Sequence, residues 1–216
     1  MKIFVPDPCT PWRLASLSMS YSYGEAEEVL IDVGLGGAKG GVSISDYLKF
    51  VQKVKSRLRA EGYLIVVPDV YGDAEGTYRN WLKFAPRLRP HGELVYVAQG
   101  FVLPREWGGI EPRIVALPTR SQNGRKCSLD PVYCTSNIMR FINEVDSGVS
   151  LHLLGPAKAV LVMLRQWGYL DRIASFDTAS YRRAPTEKAK EMVGGRWQVV
   201  KGLECVWFNE WSKGVV

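Results

Sequence analysis

Short apolar runs alternating with longer amphipathic ones constrain this chain most. Lys2–Val5, Glu28–Val33, Tyr63–Val67, Glu93–Ala98, Arg113–Leu117, Val149–Leu153, Leu170–Phe176 and Gly202–Phe208 read as eight strands. Several are nearly continuous in apolar residues, as in YLIVV and ELVYVA, which marks strands covered on both faces. Helical spacing fills the gaps. Ser45 reads as the N-cap of a helix over Asp46–Ala60, with Tyr47, Leu48, Val51, Val54 and Leu58 on one face and Gly62 closing it. Further helices are expected over Glu75–Leu88, Asp130–Val145, Pro156–Trp167 and Thr186–Met192. In the second of these Asp130 is the N-cap and Pro131 takes the first helical position. Strand-helix alternation of this kind gives a parallel sheet. Eight units predict an α/β protein with a compact (β/α)8 TIM-type barrel, some of its helices irregular or missing, and the rival is an open doubly wound sheet. The 216 residues fit a single domain spanning the chain.

The stretch LIDVGLGGAKGGVSIS (Leu30–Ser45) imitates a phosphate cradle. A Walker A loop needs Gly-Lys followed by Ser or Thr, and none occurs here. A dinucleotide fingerprint needs GxGxxG, but Lys39 stands where the third glycine belongs. The glycines read instead as a loop that tolerates unusual backbone angles. Its informative residue is Asp32, at the carboxyl end of a strand.

The net charge is +6 and the sequence pI about 9.1, which suits a polyanionic partner or simply a solvated basic surface. Lys39, Arg120, Arg125, Lys126, Arg182 and Arg183 are the loop cations that would contact phosphates. The cysteines Cys9, Cys127, Cys134 and Cys205 form no CxxC pair and no zinc pattern, so four reduced thiols and no metal are expected. No apolar run reaches the ~20 residues of a membrane span. The start, MKIFVPDP, lacks a signal-peptide core. A cytoplasmic protein without membrane contact is the expectation.

Polar residues recur where strands end: Asp32, Asp69, Gln99, His152 and Asp177. In a parallel barrel these positions converge on one mouth, where active sites form. Clustered carboxylates raise one another's pKa, so one can carry a proton while another stays ionised. That pairing suits chemistry at a sugar C1′ through an oxocarbenium-like transition state. The carboxamide of Gln99 can both donate and accept, as a heterocyclic amide edge requires. His152 reads as a hydrogen-bonded interior histidine.

In order along the chain, LIDVG, VVPDVYGD, VYVAQG, IVALP, LHLLG and SFDTASYRRAP resemble the motifs of the tRNA-guanine transglycosylase superfamily. The resemblance covers roughly Val29 to Pro185 and is closer to the short relatives that insert 7-deazaguanines into DNA. It implies a barrel enzyme that exchanges guanine in nucleic acid for a 7-deazaguanine base. Asp177 would attack C1′ and form a covalent intermediate, and Asp32 would handle the proton on the leaving or incoming base. Asp69, with Asp73 as the alternative, and Gln99 would hold the base edge, and backbone groups near Ala116 and Leu117 would complete the pocket. Tyr71 stacks on the base or belongs to ordinary packing. Val33 stands where the family has a serine. The family's cysteine-rich zinc site is missing after Asp177, and no RNA-binding domain follows, so DNA is favoured over tRNA as the partner and no cofactor is expected. An accessory protein or a homo-oligomer remains open. The alternatives are a retaining N-glycosidase or nucleoside hydrolase on the same fold, and a nucleic-acid-binding barrel without activity.

Overall fold

The computed structural model describes residues 1–17, 21, 23–34, 41–119, 130–178, 204–213 and 215. Its strands are β1 Lys2–Phe4, β2 Trp12–Ser16, β3 Gly24–Asp32, β4 Leu58–Val66, β5 Glu93–Val97, β6 Ile114–Pro118, β7 Ser150–Leu154 and β8 Ile173–Asp177. The described helices are α1 Ile44–Arg57, α2 Ala74–Leu88, α3 Pro131–Glu144, α4 Lys158–Gln166 and α5 Glu204–Ser212. All neighbouring strands pair in parallel, in the order β1-β8-β7-β6-β5-β4-β3-β2. The ring is drawn together between β1 and β2 by a parallel bridge of Val5 to Arg13. There the Leu14 N–H donates to the Val5 carbonyl at 2.8 Å. The fold is a TIM-type α/β barrel, and the open-sheet alternative is excluded by this closure.

Side chains alternate across each strand and build two cores. Phe4, Leu14, Leu30, Val66, Val95, Val97 and Ala116 fill the barrel interior. Their neighbours Val29, Ile31, Leu94 and Tyr96 point outward into the helix layer. Burying each of the Val, Leu, Ile and Phe side chains among them stabilises the fold by roughly 1.5–3 kcal/mol. Two polar tips lock helices onto the sheet. The Tyr47 hydroxyl of α1 lies 3.1 Å from the Ile31 carbonyl and 2.7 Å from that of Val66. The Trp81 indole of α2 donates to the Ile110 carbonyl at 3.1 Å and meets Tyr96 edge-on.

Several elements differ from the sequence expectation. Ser43, not Ser45, caps α1, by accepting from the Asp46 N–H. The helix stops at Arg57, and Leu58 opens β4 directly. Gly62 therefore lies inside a strand, where a Cβ would sit 3.3 Å from Cγ of Glu28, its register partner on β3. β2 was not expected, because WRLAS follows the first strand too closely for a crossover helix. The chain returns through Pro6–Pro11 without one. Conversely, of the expected strand Gly202–Phe208 the described part, from Glu204 on, is α5, whose Phe208 and Trp211 bury against the outer core beside Phe176. The expected helix Thr186–Met192 lies outside the described residues. Among the described residues no helix is long and apolar enough to cross a membrane.

The expectation of four reduced thiols is also corrected. Cys9, in the β1–β2 connection, is disulfide-bonded to Cys205 of α5, with their Cα atoms 4.9 Å apart. The pair could not be read from sequence, because 196 residues separate its members and only the packing of α5 brings them together. Such bonds persist in oxidising surroundings. Closing so long a loop restricts the unfolded chain, so Cys9→Ser should lower stability by about 2–4 kcal/mol. Denaturant unfolding of Cys9→Ser and wild type, both without reductant because Cys134 is disulfide-bonded as well, checks this. A Cys9→Ser midpoint equal to that of wild type would show that the tie contributes nothing.

Candidate active site

Parallel strands bring their carboxyl ends to one mouth, and the sequence-predicted residues gather there. Asp32 and Asp177 are the last residues of β3 and β8. Asp69 follows β4 after Val67 and Pro68, and Gln99 follows β5 after Ala98. Asp32 shares the inward face of β3 with Leu30 of the inner core. Burial, then the charges of Asp69 and Asp177, push its carboxyl up to about 7, against the opposing backbone N–H groups of Gly34 and Val33. Asp69 is also raised, mainly by burial, with the Gln99 hydrogen bond working against the rise. The three carboxylates thus form one electrostatic cluster.

Gln99 is buried and bound at both ends of its amide. Its Nε2 donates to Asp69 Oδ2, and its Oε1 accepts from the Gly72 N–H at 3.1 Å. A sharp turn aims it. Gly100 and Phe101 both take left-handed angles, with φ of 68° and 58°. For a bulky residue such as Phe101 that conformation is strained and belongs to a site that over-determines it. Asp73, the alternative to Asp69, caps α2 by accepting from the Gly76 N–H at 2.8 Å, whereas it is Asp69 that meets Gln99.

Asp177 is gripped from below. Its Oδ1 lies 3.1 Å from His152 Nε2 and accepts the Gly155 N–H at 3.0 Å. Gly155 has φ of +55°, the left-handed region in which other residues are strained. His152 is an interior histidine, as expected, with its Nδ1 2.8 Å from Ser175 Oγ. Its side chain is 1% exposed, against 15% for Asp177, so the carboxylate faces the mouth and the imidazole stands behind it.

The structure places Ala116 and Leu117 near the end of β6. The Ala116 carbonyl already accepts from the Ala98 N–H at 2.9 Å, and its methyl fills the inner core. Leu117 pairs with Leu153 and turns its side chain to the outer core. Both sit in the wall: Ala116 closes the β5–β6 ladder opposite Val97, and Leu117 lies one pair before the end of the β6–β7 ladder. Thr119, beyond the end of β6, is nearer the mouth, and its hydroxyl donates to the carbonyls of Leu154 or Gly155. Sequence reasoning missed Ser175 and Ser16, the latter the register partner of Asp32. Ser175 lies two residues before Asp177 on the same strand face, but nothing in the sequence marks it, because the register that seats it against His152 is set between the two strands.

The loop cations Lys39, Arg120, Arg125, Lys126, Arg182 and Arg183 lie outside the described residues. A cavity of about 660 Å³ opens at the opposite, amino end of the barrel, bordered by Glu28, Tyr63, His91 and Arg113. Glu28 and Asp32 are four positions apart on β3, roughly 13 Å along a strand, so this cavity is separate from the carboxylates. Among the described residues no group of three His, Cys, Asp or Glu side chains is placed to hold a metal ion. Comparison of the chain with family models, curated proteins and solved structures finds no match.

Proposed function

We propose that this barrel exchanges guanine in nucleic acid, with DNA favoured over tRNA, for a 7-deazaguanine base through a covalent aspartyl-nucleoside. One observation carries the reading: Asp32, Asp69 and Asp177 end neighbouring parts of one barrel mouth, burial and then the charges of the other two push the Asp32 carboxyl up, and Gln99 is bound to Asp69. The motif resemblance supports the same assignment. In the first half-reaction an Asp177 oxygen attacks C1′ and the bond from C1′ to the guanine nitrogen breaks. Asp32, its carboxyl pushed up to about 7, supplies a proton to the departing base. In the second, Asp32 takes the proton of the incoming base, whose nitrogen displaces Asp177 from C1′. Asp69 and Gln99 offer an acceptor and a carboxamide to the base edge once Gln99 exchanges its present partners. A guanine in a duplex must first be flipped out of the stack.

Incubating the protein with guanine-containing DNA or RNA and radiolabelled guanine tests the proposal. The expected result is label entering the polymer without abasic sites. Abasic sites without incorporation would replace the reading with a hydrolase on the same fold. Neither product, with nucleic acid still bound, would leave a binding protein.

A further inference from the structure

Asp177 does not stand alone. Behind it lies a short chain of hydrogen bonds, Ser175 Oγ to His152 Nδ1 and His152 Nε2 to Asp177 Oδ1, at 2.8 and 3.1 Å. The barrel wall has a local irregularity that makes this possible. Along β7 and β8 the register runs Leu151 with Ile173, then His152 with Ser175, so Ala174 is skipped. A bulge of this kind re-aims the side chains around it. Without it, alanine would stand opposite the imidazole. Phe4 packs edge-on against the ring from a third strand, with centroids 6.0 Å apart.

The hydrogen-bond roles follow from the partners. An ionised Asp177 can only accept, so the neutral imidazole carries its proton on Nε2. Nδ1 is then an acceptor, and the Ser175 hydroxyl must donate to it. Together with the Gly155 N–H, this aims two donors at the same carboxylate oxygen, Oδ1.

We propose that His152 is a positioning residue for Asp177, fixed in its Nε2–H tautomer by Ser175, and that with the Gly155 N–H it stabilises the carboxylate as it leaves C1′. The inference rests on the transglycosylase reading. In the covalent intermediate Oδ2 is bonded to C1′ and Oδ1 is the ester carbonyl. When the incoming base attacks, the C1′–Oδ2 bond breaks and its electron pair returns to Asp177. The two donors at Oδ1 meet that returning charge without reorganising, which is the condition under which fixed donors contribute most. In the first half-reaction the same donors hold the carboxylate and reduce its nucleophilicity. Their removal should therefore slow the second step selectively.

Single-turnover reactions on guanine-containing DNA, quenched into denaturant, measure formation and release of the covalent adduct separately. His152→Leu should slow release about 100-fold, the size expected for losing one such donor, and let the adduct accumulate. His152→Gln keeps an N–H for Oδ1 and should recover roughly tenfold of that loss. Ser175→Ala should fall between Leu and wild type. In the unliganded protein, ¹⁵N shifts should place the His152 proton on Nε2. A His152→Leu adduct released at the wild-type rate, equal losses in both half-reactions, or an Nδ1–H tautomer would each overturn the proposal. Normal wild-type exchange alongside any of these would leave the transglycosylase reading standing. A wild-type enzyme that forms no adduct would overturn both.

Discussion

Asp177→Asn should reduce base exchange by about four orders of magnitude, the scale seen when a group that works as part of a catalytic unit is removed. The substitution is chosen for what it preserves. Asparagine has the same shape, and its carbonyl oxygen still accepts from Gly155 and His152. What changes is the atom directed at C1′, because an amide nitrogen is not a nucleophile here. Folding and nucleic-acid binding should stay within about 1 kcal/mol of wild type. Initial rates of labelled-guanine incorporation, together with a thermal melt, check both halves. Retained exchange in a folded Asp177→Asn protein would remove this residue from the chemistry.

Asp32→Asn should lose activity and gain stability, and the two effects come from one cause. In the folded protein the carboxyl titrates at about 7, against an ordinary value of 3.8. Between those values the folded state holds a proton that the unfolded chain has released. Stability therefore falls as pH rises from about 4 to about 7, and above that the ionised group is buried beside Asp69 and Asp177. At about 1.4 kcal/mol per unit, the destabilisation at pH 8 is at most about 4 kcal/mol. Asparagine removes the charge and most of that penalty. The Tm of Asp32→Asn should exceed that of wild type at pH 8, and the two should converge near pH 4. Exchange should fall roughly 10²–10⁴-fold, as expected for a lost general acid-base group. Calorimetry from pH 4 to 8 decides the stability half, and a variant less stable than wild type at pH 8 would contradict it. A wild-type rate maximum near pH 7 accompanies the same assignment, since Asp32 must both give and take a proton.

The barrel was legible because its strands announce themselves. EVLIDV, YLIVV and ELVYVA are apolar on both faces, and each lies where the sequence places a strand. The missed strand, Trp12–Ser16, lies between two connections, residues 5–11 and 17–23, each too short for the helix that the pattern requires. GLECVWF was read as a strand because periodicity alone does not separate a short apolar run from a buried helix. Its place in the barrel was already taken by β2. The site followed the same logic. Asp32, Asp69, Gln99 and Asp177 were visible as polar endings of apolar runs, and parallel pairing was enough to bring them together. Ser175 was not visible, because a serine within IASFD gains meaning only through the bulge at Ala174. That register is set between strands and is written in neither of them. How Ala116 and Leu117 sit relative to the strand ends was not legible for the same reason, since the lengths of the β5–β6 and β6–β7 ladders are set between strands.

The most direct test is to quench the protein while it turns over guanine-containing DNA or RNA, and map any covalent nucleoside by peptide mass spectrometry. The account predicts a nucleic-acid adduct on the peptide that contains Asp177, absent from Asp177→Asn. Exchange that proceeds with no adduct, or with an adduct on another residue, would contradict it.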